Sequence, residues 1–300
     1  MLLTSGFTSL SGTPDLNVTD LIMEEMALQD LPHTRYYQMS STDREQVRVA
    51  AFSGFGAMPQ AAEGAAIPLD TALQRYAFNA AVVDYKLGFQ VSDKMQRSDA
   101  FELVPRLARG LANSAADTCR TVCANVLNRA FTSGYTFGDG IVLCANTHPT
   151  AGSTASNILG TTSALTNAAL NEALYSMKLT VDHRGKLAPL TGPKALVIPP
   201  QSAKLAYQIV NSMGEYGTTD RQDNYFRSQN LIIVEEPSLT DTDSWFVIDL
   251  VANPLMCKIR VPFQVKTFVD PYTESEVAYG KMAFVVTASD WRGVFGSSGA

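Results

Sequence analysis

Gly54-Phe55-Gly56-Ala57-Met58-Pro59, followed after Gln60 by Ala61-Ala62-Glu63-Gly64-Ala65-Ala66, separates two long extended segments of this chain. Its side chains are mostly small and its glycines frequent, so it lacks the apolar volume to build a core of its own. A structureless connection of this length is uncommon inside a compact domain. The flanks, residues 36–53 and 74–92, both have the character of extended chain. In the second, Tyr85, Leu87, Phe89 and Val91 alternate with Lys86, Gly88 and Gln90, the period of a half-buried strand. Upstream, Tyr76, Phe78, Ala80 and Val82 alternate on even numbers, so the change of parity at Val82 and Val83 requires a bulge or bend. The expectation is a long β-hairpin with a floppy tip that orders only on a neighbouring copy. Its contact residues would be Gly54, Phe55, Gly56, Met58 and Ile67.

Before this finger, a Ser/Thr/Gly-rich lead precedes an amphipathic helix at 20–29, with Leu21, Ile22, Met26 and Leu28 apolar and Pro32 ending it. The whole of 1–35 has the character of an arm. After the finger, Asp99 and Glu102 form a capping-box pattern, and Pro105 kinks the helix or marks its effective start. Leu107, Leu111, Ala115, Cys119, Val122, Val126 and Ala130 then make one apolar stripe. From Pro105 to Phe131 this rod spans ~40 Å. The second half mixes helices at 165–180 and 201–213 with strands at 195–198, 231–234, 245–250, 257–268 and 282–286. A turn falls at Asp182-His183-Arg184-Gly185 and a polar loop at 213–228. Pro262 demotes the 257–268 strand to an edge or a bulge. This order of elements is α+β rather than a repeating βαβ unit.

The 300 residues carry 46% apolar and only 17% charged side chains, enough to bury a substantial core. The net charge of -6, with no Lys/Arg cluster, argues against tight direct binding of nucleic acid. No apolar run is long enough to cross a membrane and no signal-peptide pattern opens the chain, so the expectation is a protein that is cytosolic and soluble when made. Cys119, Cys123, Cys144 and Cys257 are irregularly spaced, and His33, His148 and His183 do not complete a metal set with them, so buried free thiols are expected.

Chemistry-bearing motifs are sparse. Gly54-Phe55-Gly56 lacks the third glycine of a dinucleotide fingerprint and is followed by Pro59 rather than a helix. Asp241-Thr242-Asp243 could open a calcium loop, but Phe246 stands where glycine is required, which leaves a turn between strands. His148, before Pro149, offers no special nucleophile or orienting acid and is assigned a structural role in a turn. Trp245 and Trp291 are core or interface anchors. Asn17-Val18-Thr19 matches a glycosylation acceptor without consequence in a cytosolic protein. The expectation is no catalytic residue, no cofactor and no metal.

Several segments, in order, resemble the Mu-type head subunit family of tailed phages. They are Gly88-Phe89-Gln90-Val91-Ser92-Asp93-Lys94-Met95, Ala124-Asn125-Val126-Leu127-Asn128-Arg129-Ala130-Phe131, and Asp139-Gly140-Ile141-Val142-Leu143 leading to His148-Pro149. Further on come Gly185-Lys186-Leu187-Ala188-Pro189-Leu190, Leu196-Val197-Ile198-Pro199-Pro200, Ser244-Trp245-Phe246-Val247 and Asp290-Trp291-Arg292-Gly293. Together they cover roughly residues 75 to 295. The resemblance implies the α+β Hong Kong 97-like capsid fold. Its parts would be an N-terminal arm at 1–35, an extended loop at 36–92, a peripheral domain with the spine helix at 93–149 and 256–300, and an axial domain at 150–255. It also implies a major capsid protein that assembles with itself, as hexamers and pentamers, into an icosahedral virion shell. That shell would enclose double-stranded DNA without specific binding, and, as no residues for the subunit-locking Lys–Asn bond of the family's best-known relative can be placed here, its subunits are expected to be held without covalent links. Portal, scaffold and decoration proteins would be its partners. The alternatives are the shell of a bacterial nanocompartment with the same fold and, from another class, a soluble enzyme.

Overall fold

The computed structural model describes residues 18–64, 66–71, 74–92, 94, 103–150, 153–217 and 223–299. In chain order the elements are α1 (Val18–Leu28), β1 (Gln38–Ser41), β2 (Gln46–Phe52), β3 (Gln74–Ala81), β4 (Val83–Ser92) and α2 (Leu103–Asn128). They continue with β5 (His148–Thr150), β6 (Ser153–Ala155), α3 (Asn167–Lys178), β7 (Lys194–Ile198), α4 (Ala203–Asn211) and β8 (Leu231–Glu235). The last are β9 (Trp245–Asp249), β10 (Leu255–Asp270), β11 (Ser275–Ala288) and β12 (Val294–Ser297). The mixture is α+β, as expected. The capping-box pair Asp99 and Glu102 and the Ser/Thr/Gly-rich lead lie outside the described residues.

Backbone contacts divide the chain into two compact units. The first takes the described residues of Met1–Leu31 with Val83–Cys119 and Ile259–Phe284, and the second takes Pro32–Val82, Arg120–Lys258 and the described residues of Val285–Ala300. The division passes through α2, β10 and β11 and sends the two halves of the 36–92 segment to different units.

In the first unit, α1 buries Ile22 completely and lays Val18, Leu21 and Met26 around Ala108, Leu111 and Ala112 of α2, with Phe89, Phe263 and Val265 from the strands. Leu28, expected on this apolar face, is 76% exposed. Pro105 sits in the first turn of α2, where a missing N–H costs nothing. The stripe expected along this helix is displaced. Ala108, Leu111, Ala112, Ala115 and Ala116 are buried, while Leu107 and Cys119 are only half-buried. Three successive steps of four from Leu107 to Cys119 drift off a 3.6-residue turn, and the buried line follows the helix, keeping Leu111, Ala115 and Ala130 of the expected stripe. Strand β4 pairs antiparallel with β11 from Ser92 opposite Ser275 to Val83 opposite Phe284. Gly88 allows that approach, because a Cβ there would lie 2.7 Å from Tyr279 Cβ.

The pairing of β4 corrects the expectation of a single hairpin over residues 36–92. Only β2 and β3 form the ribbon, with Val47 opposite Ala80 and Val49 opposite Phe78. The parity change at Val82 and Val83 is where the chain leaves that ribbon for another sheet. In the strand order β1-β10-β11-β4, β10 has β11 along one side and only the short β1 on the other. With four residues, β1 covers only a fraction of the sixteen in β10, and that leaves room for a residue lacking an N–H.

The core of the second unit is a four-stranded sheet in the order β12-β9-β7-β8. Strand β8 is parallel to β7, reached through α4 in a single crossover, while β9 is antiparallel to β7. Every residue of β7, β9 and β12 is buried. Leu170, Leu174 and Met177 of α3 and Ile209 of α4 pack on Leu196, Ile198, Trp245, Val247 and Phe295. Thr166 caps α3 by accepting the Ala169 N–H at 3.1 Å. Trp245 is fully buried, and its Nε1 donates to Ser163 O at 3.1 Å. At the root of the ribbon, Val47, Val49 and Val285 form a small core with Phe78, Ala80, Val82 and Met256.

Candidate functional site

The ribbon of β2 and β3 keeps its root buried and its end bare. Val47, Val49 and Ala51 alternate inward, and beyond them Phe52 is 61% and Phe55 64% exposed. Met58 is fully exposed, Ile67 is 85% and Leu69 94%. Such side chains are costly to leave in water. Of the five expected contact residues, Phe55, Met58 and Ile67 stand at this bare end, joined by Phe52 and Leu69, which the sequence reading passed over. Gly54 is exposed as well, and a Cβ there would meet Asp182 Oδ2 at 3.8 Å.

Gly56 is placed differently. Its N–H donates to Asp70 Oδ2 at 2.7 Å, and the same carboxylate takes a fork from Arg184, with Nη1 to Oδ2 at 2.8 Å and Nη2 to Oδ1 at 3.2 Å. The Gly56 N–H and the guanidinium together hold the Asp70 carboxyl below its ordinary range. Within the subunit, Gly56 is thus tied to the returning arm of the finger. Sequence reasoning missed Asp70 and Arg184, which stand 114 residues apart in no motif.

Next to Arg184 in the chain, the His183 ring packs edge-on against Tyr76 at 5.9 Å and lies 3.3 Å from Arg292 Nη1. Burial, aided by the Arg292 charge, lowers the His183 pKa. Arg292 in turn grips Asp290 through Nη1 at 3.1 Å, donates from Nε to Val181 O at 2.7 Å and stacks on Trp291.

His148 lies in β5, not in a turn, and it does have an acid. Asp139 Oδ2 meets its Nδ1 at 2.7 Å, and Asn157 Oδ1 meets its Nε2 at 3.2 Å. The ring is wholly buried and stacks on Trp291 at 4.5 Å. Both nitrogens are occupied and the face is covered, so this arrangement ties strands together and presents no reactive edge to solvent. Asn157 is the hub. It accepts the Ala145 N–H and donates to Leu143 O and Val294 O at 2.8 and 3.1 Å. Trp291, like Trp245, is a core residue.

Cys123, Cys144 and Cys257 are buried free thiols, and Cys119 is half-buried. Among the described residues, no group of three His, Cys, Asp or Glu side chains could hold a metal ion, and no helix is long and apolar enough to cross a membrane. The Asp241-Thr242-Asp243 segment forms a bend before β9.

A family model described as phage capsid protein matches residues 75–296. No curated protein is significantly similar in sequence. Among solved structures, the capsid of a native GTA particle shares 13% identity over 91% of each chain, with a TM-score of 0.60. The capsid of Myoviridae phage XM1 shares 11% identity over 90% of this chain and 92% of that one, at a TM-score of 0.55. A virus-like particle from Pyrococcus furiosus shares 11% identity over 93% and 97%, at 0.53. At such identities the likeness is one of fold, and it is the capsid fold of Hong Kong 97 type that the family resemblance implied. The match over 75–296 runs from the outgoing strand of the finger through α2 and the β7 sheet to Gly296, and with it this chain belongs to the phage capsid protein family.

Proposed function

We propose that the chain is the major shell subunit of an icosahedral phage head, and that the bare end of its finger clasps an adjacent copy. The observation that carries the second half is the row of exposed apolar side chains at Phe52, Phe55, Met58, Ile67 and Leu69 on a two-stranded ribbon. A ribbon this thin has no interior to receive them, so a second copy is the surface that covers them. Residues 1–35 serve as the arm. Residues 46–81 now delimit the extended loop, in place of 36–92, since β4 belongs to another sheet. The units built on α2 and on the β7 sheet supply the peripheral and axial parts.

The shell is a structural device rather than a catalyst. Its subunits meet as hexamers and pentamers, with portal and scaffold proteins as further partners. Packaged double-stranded DNA is enclosed and not gripped, in keeping with the net charge of -6. The phage family match favours a genome container over a nanocompartment. Electron microscopy of the purified full chain tests the reading: closed shells or capsomer rings are expected, and dispersed small particles that turn over a substrate would end it. Deleting residues 54–66 should leave folded subunits that form no stable shell. Wild-type particles from that deletion would remove the clasping role.

A further inference from the structure

The geometry points to the turn at 182–186 as a bracket that aims the finger, with Arg184 as the positioning residue and Asp70 as its catch. This rests on the clasping role just proposed and adds what sets the finger's direction beforehand. The bracket is rigid by construction. Val181 and Leu187 bridge its ends, Asp182 N–H donates to Lys186 O at 2.7 Å, and Asp182 Oδ1 accepts the N–H groups of Arg184 and Lys186 at 2.7 and 2.9 Å. Gly185 supplies the positive φ of 75° that closes it.

From this fixed backbone Arg184 reaches both arms of the finger at once. Its fork holds Asp70, its Nη2 also donates to Thr71 O at 2.7 Å, and Asp70 passes the grip across to the Gly56 N–H. Lower down, Arg75 Nη2 donates to His183 O at 3.0 Å. Incoming and outgoing arms are therefore pinned to one point, between Phe55 and Met58 on the way out and just after Leu69 on the way back. A finger free at its root would sample a wide cone, and docking would then cost the entropy of choosing one direction. Pinning both arms removes part of that cost before a neighbour arrives.

The test measures amide hydrogen exchange over residues 52–58 in full-length subunits held below their assembly concentration, beside the rate of shell formation above it. Asp70→Ala removes the acceptor of the Gly56 N–H and should speed exchange at Gly56 about 10-fold, the scale of losing one hydrogen bond to a charged group, while Arg184→Gln leaves that acceptor but unpins it and should speed exchange by less. The double variant should be no faster than Asp70→Ala alone, since that change already breaks the whole grip. Arg184→Lys, which keeps the charge but not the fork, should fall between Arg184→Gln and wild type. Shell formation should slow in the same order. Wild-type exchange in Asp70→Ala or Arg184→Gln, or additive effects in the double variant, would overturn the bracket whatever the shells do. Faster exchange with shell formation at the wild-type rate would leave the bracket standing and count against the clasping role.

Discussion

Met58→Ser isolates the contact made by the end of the finger. Met58 is fully exposed, so the subunit itself gains nothing from its apolar side chain. Burying a methionine of that size against a neighbour contributes about 1.5–3 kcal/mol, and serine retains little of it. Taking about 2 kcal/mol per contact, the substitution weakens each clasp by about 30-fold. The assay is light scattering over a concentration series, with micrographs identifying the particles. The threshold concentration for shell formation should rise by about that factor, while the thermal midpoint of the unassembled subunit stays where it was, as for other exposed positions. A threshold within about twofold of wild type, too small for a buried methionine, would show that this end of the finger is not covered in the shell.

Three further outcomes concern the subunit's own stability, measured by urea unfolding below the assembly threshold. Asn157→Ala leaves the Ala145 N–H and the Leu143 and Val294 carbonyls without their buried partner. It should cost about 3 kcal/mol, and a loss below about 1 kcal/mol would refute the hub. Gly293→Ala combines a φ of 90° with a Cβ placed 2.4 Å from Ala252 O. It should cost about 2–3 kcal/mol, checked by the same midpoint shift. Burial, with Arg120 nearby, pushes His33 down to about 4, so the unfolded chain binds its proton first. Stability is then full above about pH 6.5 and falls as pH drops toward 4, by about 2.5 kcal/mol at pH 4.5. His33→Leu should flatten that part of the pH profile, and an unchanged slope would sink the assignment.

Much of the molecule is written in local spacing. The alternation at Tyr85, Leu87, Phe89 and Val91, the helical runs of α2, α3 and α4, the turn at Gly185 and the apolar content around Trp245 all follow from backbone periods of two and 3.6. Those periods are properties of a few adjacent residues, so the sequence alone determined the α+β class, the bare finger and most element positions. Its changing parity at Val82 and Val83 even marked where the chain turns from one sheet to another.

Partner choice was another matter. That β4 joins β11 rather than the finger, that Asp139 and Asn157 enclose His148, and that Arg184 reaches Asp70 from 114 residues away were all decided by tertiary structure. Each such pair is selected by how whole elements pack, through the apolar area they bury together and the buried polar groups they leave to be satisfied. No local period records which distant strand or carboxylate will be there to meet a given side chain.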